Sequence, residues 1–128
     1  MKNLAPIGRI LFALPFAVFG INHLLMMDYY LGMLTSFIPL GGYTIILTGL
    51  VMIIVSISII TKKFIRLSTL ILAGLLLIFI LTIHLPHLFD GTDRVPIMIA
   101  LLKDISLMGG SLMIAGYCAE EETKKAEK

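Results

Sequence analysis

The sequence predicts an all-α integral membrane protein, a four-helix bundle with both the N and the C terminus in the cytoplasm. Three observations predict it: 59% of the residues are hydrophobic against 14% charged, the apolar residues form four blocks long enough to cross a bilayer, and the basic residues gather at one side of those blocks. Soluble domains average roughly 45–50% apolar residues, and a single small domain of 128 residues has no soluble core able to absorb the excess. Lipid is the solvent for most of this chain.

A helix needs about 20 predominantly apolar residues to cross the hydrocarbon layer. The first block, residues 10–27, contains Pro15, Asn22 and His23, and Pro15 is expected to kink it one turn before Gly20. The second, residues 41–60, carries no charge. The third, residues 67–85, has His84 as its one ionisable residue and ends at Pro86-His87, where a proline is tolerated. The fourth, residues 95–118, is unusual in holding Lys103 and Asp104. Residues 1–119 therefore form the transmembrane domain. Residues 120–128 form a charged tail, in which Glu120 with Lys124 and Glu121 with Lys125 favour a short helical extension. Lys2 and Arg9 ahead of an apolar stretch also fit a signal peptide, but no A-x-A pair follows, so the segment reads as a retained helix.

Orientation follows from the short loops, because those rich in Lys and Arg stay in the cytoplasm. Lys2 and Arg9, then Lys62, Lys63 and Arg66, then Lys124, Lys125 and Lys128 place eight basic residues on one side. The loop of residues 28–40 has none, and residues 90–94 offer Arg94 against Asp90 and Asp93. Topology accounts for the basic residues, and no nucleic-acid motif is present.

Helices in lipid associate through small residues and hydrogen bonds, so these mark the inward faces. On this ground Thr44, Thr48, Val51, Val55 and Ser58 face inward in the second span, and Arg9, Phe12, Phe16, Gly20 and His23 in the first, with Gly20 leaving space beside His23. Core packing accounts for Phe12 and Phe16. In the fourth span both Lys103-Ser106-Gly110-Tyr117 and Asp104-Ser111-Cys118 are expected to face the bundle.

An ionisable residue at membrane depth costs about 2.5–3.5 kcal/mol on insertion scales, which demands a partner, water or a function. Counting about 1.5 Å per residue, His84 lies roughly 26 Å from Arg66, near the outer interface. Lys103 and Asp104 lie roughly 12 Å below Val95, and His23 is also near the outer end. Being adjacent, Lys103 and Asp104 point about 100° apart and cannot pair neatly along the helix, so one should reach His23 or His84. Two readings stay open at this point. Either Lys103 snorkels and Asp104 pairs with a histidine to hold the helices, or these residues handle protons, as an imidazole beside a carboxylate can near neutral pH.

The histidines are not spaced for a metal or haem, since His84-Leu85-Pro86-His87 lacks the helical i, i+4 interval that aims two imidazoles at one ion. Cys118 is alone, so a dithiol relay would need a partner protein.

The order Arg9, Ala13, Gly20 and His23 in the first helix, with Lys103-Asp104-Ile105-Ser106-Leu107-Met108-Gly109-Gly110 in the fourth, resembles the DoxX family of small four-helix membrane proteins. The resemblance implies a subunit of a quinone-linked sulfur- or oxygen-reducing complex, or a membrane partner of a redox enzyme. Many members carry a glutamate in the second helix before a glycine pair. Here the segment is Ile45-Ile46-Leu47-Thr48-Gly49, which leaves Asp104 to supply an acid.

The expectation is a quinone-linked redox subunit of the cell membrane, partnered by a membrane or extracytoplasmic protein or by its own copies. His23, His84, Lys103 and Asp104 are the expected reactive residues of a polar pocket in the outer half, with Arg9, Gly20 and His87 binding a quinone. From a different class, a non-catalytic scaffold that binds a partner protein explains the same charges, and a small-solute or proton pathway is a third reading.

Overall fold

The computed structural model describes residues 3–34, 40–91 and 93–128, and these are α-helical throughout apart from short turns and one π-helical turn. Lys2, on which part of the charge argument rests, and residues 35–39 of the segment between the first two spans lie outside the described residues. Four helical stretches are long and apolar enough to cross a membrane: Leu4–Leu25, Gly42–Ile60, Ile65–Phe89 and Arg94–Ala126. The chain is a multi-pass membrane protein.

The burial pattern is that of a protein dissolved in lipid. Leu11, Leu25, Leu47, Ile54 and Met113 stand out from the helices, while Ser56, Thr69 and Ser111 are wholly buried. In water such an arrangement would expose far too much apolar surface. In hydrocarbon it places Leu and Ile against lipid tails and keeps small and hydroxyl-bearing residues for helix contacts.

Two compact units make up the chain, residues Met1–Ser68 and Thr69–Lys128. In the first, α1 (Leu4–Leu25) and α3 (Gly42–Ile60) pack against each other, and α2 (Met27–Leu31) touches both. The α1–α3 register is fixed at two points. Ser56 Oγ donates to the Ala13 carbonyl at 2.8 Å, and seven residues on along α1 and seven back along α3, Gly20 lies against Gly49. A Cβ added at Gly20 would fall 2.6 Å from the Gly49 carbonyl oxygen, closer than real Cβ contacts allow, so only glycine permits this approach. The seven-residue interval keeps both contacts on one antiparallel seam.

The seam corrects two expectations. The buried face of α3 is Ile45, Thr48, Gly49, Met52, Val55, Ser56 and Ile59, rotated from the expected arc, whose Thr44, Val51 and Ser58 are only half-buried. Gly20 does not leave room for His23. Its space is taken by Gly49 and Ile53, and the room beside His23 comes from Gly49, where an added Cβ would sit 3.0 Å from His23 Cβ.

In the second unit, α4 (Ile65–Phe79, begun in the first) runs into a π-helical turn at Ile80–His84, followed by α5 (Leu85–Phe89). Pro86 explains the turn. A proline in a helix has no N–H for the carbonyl four residues back, here Thr82, and its ring clashes with that carbonyl. Widening the preceding turn relieves the clash, and Leu85 N–H accordingly bonds the Ile80 carbonyl, five residues back. The third span thus extends to Phe89 rather than ending at residue 85.

Helix α6 (Arg94–Ala126) is one continuous rod of 33 residues. The helical extension expected for the tail is present as the end of this helix, supported by a Tyr117 Oη–H bond to Glu121 at 2.9 Å and by its i, i+4 Glu–Lys spacing. The first span likewise starts earlier than residue 10, at Leu4, and ends at Leu25, where Met26 N–H closes on Asn22 O.

Candidate functional site

The buried face of α6 is Leu101, Asp104, Ser111 and Ala115, at the three-, four- and seven-residue intervals that bring side chains onto one stripe. Asp104 is 4% exposed. Its carboxylate faces the π-helical turn, where His84 Nε2 lies 2.7 Å from Asp104 Oδ2. With Asp104 ionised, His84 Nε2–H donates. With Asp104 protonated, the carboxyl O–H donates to Nε2. The pair can thus hold a proton on either partner across one short hydrogen bond.

The π-helical turn matters to this geometry because one extra residue in a turn rotates every following side chain relative to a regular helix. His84 is the last residue of that turn. Thr82 Oγ1, in the same turn, donates back to the Ile78 carbonyl at 2.6 Å. His87, three residues beyond His84, uses its Nδ1–H on the Ile83 carbonyl at 2.6 Å and so is engaged with its own helix.

Lys103 departs from expectation. Its face of α6, with Ser106 and Tyr117, is exposed, so only the Asp104–Ser111 stripe points inward. Yet Lys103 Nζ is 3.6 Å from Asp104 Oδ1, with its side chain 50% exposed. The adjacent residues do meet, because the flexible lysine stem bends back along the surface to the carboxylate. At this distance and exposure the contact is a loose ion pair that sets a positive charge beside Asp104.

Ser111 is the polar group that sequence reading placed on the right face without giving it a role. It is wholly buried, and its Oγ has no hydrogen-bond partner among the described residues. One helical heptad separates it from Asp104, roughly 10 Å along α6. A buried hydroxyl left unpaired costs about 1–3 kcal/mol, which marks it as a donor awaiting an acceptor.

His23 belongs to the first unit. Its Nδ1–H donates to the Phe19 carbonyl at 2.7 Å, and its ring stacks on Tyr30 with centroids 3.8 Å apart and planes 20° from parallel. Tyr29 meets Tyr30 edge to face at 5.3 Å. Tyr30, which lies beyond the end of the first span, has its hydroxyl pKa raised, first by burial and then by the neighbouring Tyr29. Nothing in the sequence pattern singled out Tyr30, because the α1–α2 break that folds it back over His23 has no strong local signature. Arg9 is half-buried, and its Nε is inaccessible and without a hydrogen-bond partner among the described residues.

The structure thus brings His84, Lys103 and Asp104 together, seats His23 with Tyr30, and sets Gly20 in the α1–α3 seam. Among the described residues no three of His, Cys, Asp and Glu converge to hold a metal ion. In the second unit Ser111 Oγ is an orphaned buried donor, and Lys103 Nζ is an exposed one beside Asp104. Compared with known proteins, the chain matches no family model, no curated protein and no solved structure.

Proposed function

We propose that this protein is a small DoxX-type membrane subunit that passes protons for a quinone-linked redox complex, with His84 and Asp104 as the group that takes up and releases the proton. The observation that carries the reading is the 2.7 Å His84–Asp104 hydrogen bond, which joins the π-helical turn to the buried face of α6. π-Helical turns recur at functional sites, and a proton-sharing pair at membrane depth is expensive to keep unless it does something.

Ser111 Oγ, the orphaned donor on the inward stripe, would bond a quinone carbonyl oxygen. A bound quinol supplies two electrons, which go to the redox partner, and two protons. His84 would take each quinol proton in turn, share it with Asp104 across their hydrogen bond, and pass it to water before taking the next. Lys103 Nζ stands beside the Asp104 carboxylate, 3.6 Å from its Oδ1. The distribution of Lys and Arg supports a cell-membrane topology with both termini cytoplasmic, which sets the pair toward the outer surface. Cysteine-accessibility labelling at residues 63 and 128 in a Cys118→Ser background tests that topology, and labelling of either from outside refutes it.

The test of the function is direct. The protein is purified in mild detergent, its bound lipids are extracted for quinones, and quinol is titrated against it by absorbance. Absence of both a bound quinone and a saturable quinol response ends this reading.

One observation favours a second reading, a scaffold for a partner protein: His84 and Asp104 satisfy each other within the chain, as two groups serving only to lock helices would. Lys103→Met with Asp104→Asn separates the two. A scaffold stays folded and keeps its partner, whereas the redox subunit keeps its partner and loses proton-coupled activity.

A further inference from the structure

The end of the first unit opposite α2 holds basic groups that its own acids do not answer. The Ala13–Ser56 and Gly20–Gly49 contacts fix α1 and α3 antiparallel, so one turn before Ala13 sets Arg9 level with Ile60, at the mouth of the α3–α4 turn. Lys62 and Lys63 stand exposed in that turn. The one carboxylate within residues 1–68 is Asp28, in α2, the length of α1 away.

The turn is built rather than loose. Lys62 and Phe64 both take left-handed backbone conformations, at φ 63° and 55°. Ser58 holds them: its carbonyl accepts from Lys63 N–H at 3.1 Å, its Oγ donates to the Lys63 carbonyl, and Ser68 Oγ donates to Ser58 Oγ at 2.7 Å. The result presents Phe64, 78% exposed, beside the two lysines at the end of two apolar spans. An aromatic ring with adjacent cations suits the headgroup layer, the ring lying among the upper acyl chains and the ammonium groups among phosphates.

Arg9 supplies the specific element. Its Nε is buried and lacks an acceptor among the described residues, and a guanidinium fork is shaped for two phosphate oxygens. We propose that Arg9, Lys62 and Lys63 form a binding site for the phosphate headgroup of an anionic phospholipid, with the terminal guanidinium N–H groups of Arg9 donating to phosphate oxygens and Phe64 anchoring beside the acyl chains. The shared chemistry is a phosphate anion, and the position at the bilayer surface commits the site to the lipid source. The proposal is independent of the redox reading.

Full-length protein in phosphatidylcholine nanodiscs containing graded phosphatidylglycerol provides the test, with bound lipid counted by native mass spectrometry and inorganic phosphate added in a parallel arm. Wild type should retain phosphatidylglycerol over phosphatidylcholine. Each neutralised lysine should weaken that preference about fivefold, so Lys62→Gln with Lys63→Gln loses roughly 25-fold. Arg9→Gln should remove the preference, and Arg9→Lys should restore part of it. Equal retention of the two lipids by wild type overturns the proposal, as does an unchanged preference in Arg9→Gln. Displacement of lipid by inorganic phosphate at equal concentration overturns the lipid assignment. If Arg9→Gln fails to fold, the lysine pair decides, since both side chains are exposed, and an unchanged preference there also refutes the site.

Discussion

Asp104 Oδ2 sits 2.7 Å from His84 Nε2, and the carboxylate that makes this bond is 4% exposed. Truncating His84 leaves a buried carboxyl without its partner, and truncating Asp104 leaves a half-buried imidazole without its own. Hydrogen bonds between membrane helices measure about 0.6–2 kcal/mol, so Asp104→Ala should lower stability by about 1–2 kcal/mol and Asp104→Asn by less, since an amide still bonds the imidazole. A double-mutant cycle with His84→Ala, read by unfolding in mixed micelles, should return a coupling of about 1 kcal/mol. Strict additivity of the two substitutions would show that the bond carries no energy.

The bond depends on the π-helical turn, and the turn depends on Pro86. Pro86→Ala restores an N–H that can reach the Thr82 carbonyl, which removes the reason for the Leu85-to-Ile80 pattern. The variant should relax toward a regular helix and rotate His84 off Asp104. Backbone hydrogen-bond couplings and the His84 ring chemical shifts by NMR should both move. A retained Leu85-to-Ile80 bond in the alanine variant would mean that the turn has another cause.

Span positions were legible in the sequence because hydropathy over 20 residues averages out local detail, and Asp104 with a histidine was legible because so few groups at that depth could answer it. What stayed hidden was rotation and reach. The arc expected on α3 was wrong by about one residue because Thr and Ser were weighted above Gly49, whereas the Gly20–Gly49 approach sets which side of α3 is inside. The angle of about 100° between adjacent helix positions does not separate Lys103 from Asp104, because a lysine stem spans it. The π-helical turn could have been suspected from Pro86 alone, since a proline inside a continuing helix must displace the preceding turn. The continuation of α6 through Ala126 was foreshadowed by its Glu–Lys spacing, but not its unbroken length.

The α1–α3 seam yields a sharper contrast. Gly20→Ala would force a Cβ to within 2.6 Å of a carbonyl oxygen on a backbone that cannot move cheaply, so the helices must part. Overpacking of this kind costs about 1–3 kcal/mol. Gly74→Ala meets nothing within 4 Å and should be neutral or slightly stabilising through its better helix propensity. Thermal melts of the two variants in the same detergent should differ clearly in sign or size, and equal melts would rule out the tight seam.

Ser56 and Ser111 are both wholly buried serines, yet they predict opposite results. Ser56 Oγ donates to the Ala13 carbonyl across the seam at 2.8 Å, so Ser56→Ala forfeits a bond worth about 0.6–2 kcal/mol and should destabilise. Ser111 Oγ has no hydrogen-bond partner among the described residues, so Ser111→Ala removes an unpaired hydroxyl and should leave stability unchanged or raised by about 1 kcal/mol in the ligand-free protein. If the hydroxyl serves a quinone carbonyl, the same variant should bind quinol about tenfold more weakly, the equivalent of about 1.4 kcal/mol. Unfolding without ligand and quinol titration together resolve the two effects. A Ser111→Ala protein that is both less stable and unaltered in quinol binding would assign the serine to packing alone and take it out of the proposed site.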